Sequence, residues 1–497
     1  DNYLFIPSHP NQALSSTTEL WEKKKDFKTL FESLPTNTQV VFLVSSGKDD
    51  DRLAALADLK DKIDDSLGGL GQEQVDWWAP RVVYGTQKAS KTPGWLGSTL
   101  ATPNWGVGVD RTQRLRYIGS FANPERYNGS WFDNDVSMAA NEAVYWNYEF
   151  ERQERLDAQG ATVVRVWDNE RINGNLYAEV ELPSADEMEG FDTLELDVTQ
   201  ACEGEGEYGV CPAWDYTTYM WVCSTAVEAN PWADTACEPG VDTQTGQCSD
   251  PDGDAHEATY TCKEDGSGYE DIDCGCETEI GRWITTYHRE GRYVHDVSPL
   301  LPMLSQGGTT KFRFYANGPY ELTADLRLSN SGEELRPQEM IFLFAGGDLH
   351  AGTYNDRDPV TVTVPEDAAR VELVTVTTGH GMASPGNCAE FCDIHHEYTF
   401  NDDTTLVLDQ PWVGDNFGCM AQTAEGTVPN QYGTWWYGRG GWCPGKQVDV
   451  DRQDVTAQVN LGQENTITYQ AMFQGEDAGG GDNWQHIILN SWLVIYR

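Results

Sequence analysis

The sequence predicts a multidomain protein: an α/β domain over residues 1–160, then two all-β sandwiches over 161–335 and 336–497. Three observations predict it. At 497 residues the chain is too long for one core. Its first third alternates a buried-type strand with helical periodicity. Beyond residue 162 the texture changes to short alternating strands broken by turn residues, and all 12 cysteines lie in this later part.

In the first domain, residues 38–45 (TQVVFLVS) form an apolar strand, and 49–64 show helical spacing through Leu53, Leu56, Leu59 and Ile63 with acidic residues at the start. Residues 82–84 are a short strand, and 105–110 with 115–120 form a hairpin around Arg111-Thr112-Gln113. A long amphipathic helix over 138–159 is closed by Gly160. This order resembles a thioredoxin or redoxin domain, with Ala101-Thr102-Pro103 at that fold's proline position and 108–119 similar to its hairpin. Where the resemblance places a reactive thiol, the chain has Ser45-Ser46-Gly47. Without a thiolate there is no thiol–disulfide exchange, so this domain is expected to be a scaffold or binding domain.

The first sandwich is expected to use strands at 163–167, 175–182, 193–198, 214–222, 280–287, 293–297 and 311–316. In 214–222, Asp215 shares a face with Thr217, Tyr219 and Trp221, while Trp214 lies on the other. The second sandwich is expected to use 338–344, 360–364, 370–377, 397–400, 404–408, 466–473 and 487–496. Between Cys223 and Cys276 lies an acidic, apolar-poor insertion whose fold must be stapled by disulfides; its six cysteines, counting both ends, allow fifteen pairings, which stay open. Asp250-Pro-Asp-Gly-Asp254 with Glu257 matches part of a calcium loop.

Composition excludes some partners. The net charge of −47, from 80 acidic against 33 basic residues, disfavours nucleic acid and anionic membranes. No apolar run approaches membrane-spanning length. Cysteines at short spacings suit disulfides in an oxidising compartment better than a zinc module, and the start at Asp1 suits a removed signal segment. A secreted, extracellular or periplasmic location is expected, with no cofactor.

Two stretches carry candidate chemistry. In Cys388-Ala-Glu-Phe-Cys392 two cysteines four apart can close a tiny loop that holds Glu390 at its tip, between strands. Trp214-Asp215 follows a second short cysteine loop, Cys202 to Cys211. These stretches, with Cys211-Pro-Ala-Trp-Asp215, Glu279-Ile-Gly-Arg-Trp-Ile-Thr-Thr-Tyr287, Gly379-His380 and Arg439-Gly-Gly-Trp-Cys-Pro-Gly445, resemble the bacterial peptide-N-glycosidase F family across about 162–497. The resemblance implies two jelly rolls and bridges Cys202–Cys211, Cys388–Cys392 and Cys419–Cys443. It implies an amidohydrolase that cuts the asparagine–N-acetylglucosamine bond of an N-glycosylated protein or glycopeptide. Asp215 would be the principal catalytic residue, with Glu390 and Arg439 beside it. Amide hydrolysis needs a base for water, a proton for the leaving nitrogen and a charge to stabilise the oxyanion. Neighbouring carboxylates split into one ionised and one protonated group. Trp214 and Trp442 offer flat faces to a sugar, with ordinary sandwich core as their alternative; His380 and Asn317 complete the implied substrate contacts.

The resemblance has one gap. The family's second active-site glutamate aligns with Asn317, its following tryptophan with Pro319, and the tryptophan beside Gly-His with Thr378. A binding or structural protein that kept the fold and lost the activity is therefore a second reading. The third is a copper monooxygenase using His380, Met382, His395 and His396. Adjacent His395 and His396 on one strand would face opposite ways, which weighs against it.

Overall fold

The computed structural model describes residues 1–8, 28–45, 48–101, 105–120, 137–204, 211–223, 235–239, 241–249, 255–263, 266–271, 276, 278–349, 352–381, 388–480 and 484–497. The chain divides into two compact units, one of residues 1–158 with 419–436 and one of 159–418 with 437–497.

The first unit is α/β. Its five-stranded sheet runs in the order Val82–Thr86, Thr38–Val44, Asn2–Ser8, Trp105–Val109, Leu115–Ser120. The first three strands are mutually parallel, and the last two add as an antiparallel hairpin. Helices Asp49–Gly68 and Ser137–Gln159 bury Leu59, Ile63, Ala143 and Trp146 in a core with Leu4, Val40 and Phe42. The sequence reading placed no strand before residue 38, yet Asn2–Ser8 is the middle strand. Seven residues holding Tyr, Pro and Ser do not alternate cleanly, and only tertiary pairing reveals them. Ser46, Gly47, Thr102 and Pro103, on which the redoxin comparison partly rests, lie outside the described residues. Residues 419–436, expected in the last sandwich, belong to this unit, where Asn430 donates at 2.8 Å to the buried Glu142 carboxylate.

The second unit is mostly β. Its first part is one seven-stranded sheet bent back on itself. Two 23-residue strands, Thr162–Ser184 and Gly307–Ser329, pair along their whole lengths and span both layers. The 311–315 half of the second pairs with Thr217–Cys223, while its 320–329 half pairs with Thr193–Cys202. One strand thus serves both layers and changes layer at 317–319. There, Asn317-Gly318-Pro319 bulge out opposite the single Asn173, whose Oδ1 accepts from Gly318 N at 3.2 Å. Asn173-Gly174, in the gap between the separate strands expected at 163–167 and 175–182, is therefore a kink within one strand. The layers face each other closely: a Cβ on Gly281 would come within 2.7 Å of Leu196 Cδ1.

The second part stacks a four-stranded sheet, with Pro337–Asp348, His486–Tyr496, Arg370–His380 and Asp451–Asp454 in order, against a second sheet containing Val360–Thr363, Glu464–Phe473, Ile394–Phe400 and Thr404–Leu408. Leu373, Leu493 and Ile495 from one sheet and Tyr398, Phe400 and Ile467 from the other close its core.

The insertion holds a small antiparallel sheet of Thr243–Ser249, Ala255–Cys262 and Tyr269–Asp271. Cys223–Cys276 closes its neck with a Cα separation of 3.8 Å, and Cys237–Cys262 staples its interior. Residues 250–254, the calcium-loop stretch, lie outside the described residues.

Candidate active site

Three chain segments interlace where the two sandwiches meet. The first is the approach to strand Thr217–Cys223. Residues 214–216 are not strand, contrary to the expectation that 214–222 runs straight. Thr285 intercepts them: its hydroxyl accepts from Tyr216 N and donates to the Trp214 carbonyl, both at 2.8 Å. The Cys202–Cys211 bridge and His288 N, which donates to the Pro212 carbonyl at 3.0 Å, hold the other end. This bend leaves the Trp214 ring 61% exposed.

The second segment is the loop 388–392. Its bridge joins Cys388 to Cys392 across 5.1 Å between Cα atoms, and Ala389 N donates to the buried Gln485 side chain at 3.0 Å. Glu390 is held from both ends: Gly440 N donates to its carbonyl at 2.7 Å, and Gly381 N donates to Oε2 at 3.2 Å. The third segment, 439–442, lies flat against the loop. A Cβ on Gly379 would stand 1.9 Å from the Ala389 carbonyl oxygen, and one on Gly440 only 2.4 Å from it. Glycine is required at both positions for backbone to meet backbone.

Arg439 joins the segments. Its Nη2 lies 3.2 Å from Asp215 Oδ2 and its Nε 3.1 Å from Glu390 Oε1, while Nη2 also donates to Tyr287 Oη at 3.2 Å. The guanidinium is buried between the Phe391 and Trp442 rings, 5.6 and 4.6 Å from their centroids. A planar fork suits such a slot, since it keeps donors in plane and offers its faces to aromatics. Burial pushes the Glu390 carboxyl up; Arg439 and the Gly381 N–H pull against it, and the Asp215 charge adds to the rise. Two carboxylates thus share one guanidinium, with Glu390 pushed toward its protonated form, an arrangement able to serve acid–base chemistry.

The other expected site residues separate. Trp214 is an exposed aromatic face, not sandwich core. Trp442 is buried, with its Nε1 donating to the Gly379 carbonyl at 2.7 Å and His380 stacked on it at 5.2 Å, so it supports Arg439 and presents no face to a sugar. His380 is held by Thr378 Oγ1 at 3.0 Å; burial first, then the charges of Arg282, His486 and Arg439, lowers its pKa to about 3. It is a neutral spacer. Asn317 is exposed on the layer-changing bulge, beside a glycine whose Cβ would touch Pro212. His395 and His396 do face opposite ways: His395 is partly exposed beside Asp393, and His396 is buried on Tyr469. Met382 lies outside the described residues.

Sequence reasoning missed four contributors. Tyr287 and Thr285 stood inside a quoted motif without a role. Gln485 and Trp484 carried no local signal. Trp484 is 58% exposed, with its ring and carbonyl packed beside Gly381, the residue that donates to Glu390. Of the bridges the resemblance implied, Cys202–Cys211 and Cys388–Cys392 are present, and Cys419 and Cys443 are each disulfide-bonded.

Comparison with known proteins bears on the part of the chain that supplies Glu390 and Arg439. Residues 352–494 match the family model for the C-terminal domain of peptide-N-glycosidase F. The curated peptide-N(4)-(N-acetyl-beta-D-glucosaminyl)asparagine amidase F of Elizabethkingia miricola is 25% identical over 236 residues, which are 44% of this chain and 63% of that protein. The matched stretch thus spans less than two thirds of that relative. Among solved structures, PNGase F, a glycosylasparaginase from Flavobacterium meningosepticum, superposes at a TM-score of 0.45 with 15% identity over 68% of this chain and 96% of its own. PNGF-II superposes at 0.45 with 15% identity over 70% of this chain and 67% of its own. What the comparisons establish is confined to residues 352–494, which are similar to the C-terminal domain of peptide-N-glycosidase F.

Proposed function

We propose that the protein is a secreted amidohydrolase that releases N-linked glycans by cleaving the amide between an asparagine side chain and the first N-acetylglucosamine. The observation that carries this reading is Arg439 bridging Asp215 and Glu390, with the exposed Trp214 next to Asp215 in the chain. Asp215 would activate water or position it at the amide carbon, Glu390 in its raised-pKa state would exchange the proton of the leaving nitrogen, and the Arg439 guanidinium would keep both carboxylates in place. Trp214 and Trp484 would flank the sugar with apolar faces. The two β parts would be the family's jelly rolls, and the N-terminal unit a thioredoxin-like scaffold or binding domain. An oxidising compartment agrees with the disulfides, and no helix among the described residues is long and apolar enough to cross a membrane.

A second reading, a binding protein that has lost catalysis, is favoured by Asn317 at the position of a family glutamate. Incubation with a denatured N-glycoprotein separates the two. A mobility shift together with an asparagine-to-aspartate mass change, both lost in Asp215→Asn, establishes the hydrolase. No cleavage across several glycan types establishes the binding protein.

A further inference from the structure

The second sandwich has an opening of its own. Between its two sheets, where Leu408 ends the apolar core, lies a cavity of about 410 Å³. That falls within the roughly 300–1,000 Å³ range of small-molecule sites. Thr375 and Thr377 line it from strand Arg370–His380, and His396 lines it from the facing sheet. Gln410 and Trp412 line it from the segment that follows strand Thr404–Leu408.

We propose that this cavity is a second binding site, for a neutral saccharide ring, distinct from the cleft at Asp215. Four features support it. First, the lining is polar where a sandwich interior is normally apolar. His396 Nδ1 is 2.8 Å from Tyr469 Oη, which is 3.0 Å from Tyr354 Oη, all within the core. Tyr469 occupies Nδ1, which leaves Nε2, on the far side of the ring, for a ligand. Burial lowers the His396 pKa to about 4, so the ring stays neutral and offers one polar nitrogen.

Second, Trp412 supplies an apolar ring at the wall, and its Nε1 is buried with no hydrogen-bond partner among the described residues. That ring offers a flat face on which a sugar can stack. Third, the charges select against anions. Asp409, Asp449 and Asp451 line the cavity, and the one lining guanidinium, Arg452, is already spent on both oxygens of Glu372 and on Tyr496 Oη. Asp449 is neutralised by Lys446 at 2.8 Å, and Asp451 Oδ1 accepts from Gln453 at 2.8 Å, which leaves carboxylate oxygens suited to ligand hydroxyls. Fourth, the wall is shared with the catalytic loop. Gly441 lines the cavity, and Gln410 Nε2 lies 2.8 Å from where a Gly441 Cβ would stand.

The site does not rest on the proposed hydrolysis, and its test reads binding alone. The full chain is titrated with N-acetylglucosamine, mannose and their short oligomers, followed by calorimetry and tryptophan fluorescence. Expected is saturable binding that survives Trp214→Ala with Asp215→Asn and weakens at least tenfold in Trp412→Ala. Thr377→Val, nearly the same shape, is expected to weaken it severalfold with unchanged thermal unfolding, which guards against a Trp412 variant that folds poorly. The proposal is overturned if no probe binds saturably. It is equally overturned if binding vanishes with Trp214→Ala yet withstands both cavity variants, or if calcium ions bind and sugars do not.

Discussion

Thr378 Oγ1 accepts a hydrogen bond from Arg282 Nη1 at 2.9 Å, joining a strand of the second sandwich to the interior of the first. Arg282 is fully buried and forms a fork on Glu279, with contacts of 2.8 and 2.7 Å, while Asn490 donates to the same carboxylate. The hydroxyl also meets His380, which stacks on Trp442, which supports Arg439. Thr378 is therefore a polar tie between a structural ion pair and the site.

Glu279→Ala is expected to destabilise the fold by about 3–5 kcal/mol, because Arg282 would stay buried without its counter-charge. Replacing both by methionine should recover most of this. Chemical denaturation of the two variants checks the prediction; equal losses would refute it. Thr378→Val should cost less stability, about 1–3 kcal/mol for an unpaired donor, and lower kcat more than it raises KM.

Arg439→Lys keeps the charge and loses the fork. A lysine cannot reach Asp215, Glu390 and Tyr287 while filling the slot between Phe391 and Trp442. The expected result is a fall in kcat/KM of about 100-fold or more, equivalent to about 2.7 kcal/mol of lost transition-state stabilisation. Steady-state kinetics on a fluorescent glycopeptide checks it.

The pH response has two opposed parts. Glu390 has a raised pKa in the fold, so the native state holds its proton to higher pH than the unfolded chain does. Its contribution is full below the ordinary glutamate value of 4.5 and is lost as pH rises through the folded pKa. Glu390→Gln should remove that decline. His295, His380 and His396 are lowered to about 4, 3 and 4 from 6.5, chiefly by burial. Their contribution is present above 6.5 and lost as pH falls toward those values. Neither ring nitrogen of His295 has a partner among the described residues, so His295→Phe should flatten the acid limb of an unfolding-versus-pH curve.

Replacing Cys388 and Cys392 by serine removes a very short loop, so the entropic loss is small, about 2 kcal/mol. The effect on turnover should be larger than that implies, because the bridge orients Glu390. A variant with near-normal melting and at least tenfold lower kcat is the expected outcome.

Much of this architecture could be read from the residues. The change of texture near residue 160, most sandwich strands and the short cysteine loops beside Asp215 and Glu390 follow from alternation and cysteine spacing, whereas Arg439 was pointed to only by the family resemblance. What could not be read has a physical reason in each case. The fusion of Thr162–Ser184 and Gly307–Ser329 into two layer-spanning strands was hidden because Asn-Gly and Gly-Pro look like turns when their partner is unseen. Trp442 and Trp214 are alike in sequence, and only the bend imposed by Thr285 exposes one while Arg439 and His380 cover the other. Gln485 and Trp484 reach the site through tertiary approach alone.

Cys223 and Cys276 have a further consequence. The strands they close are already neighbours, with Val222 paired to Thr278, so the chain leaves and re-enters the scaffold at one point. The described strands between the two cysteines therefore lie beyond one end of a single strand pair of the host sheet. Such a module can be exchanged, enlarged or trimmed without asking the host sheet to move, which makes this neck a natural port for grafting new recognition onto an old framework.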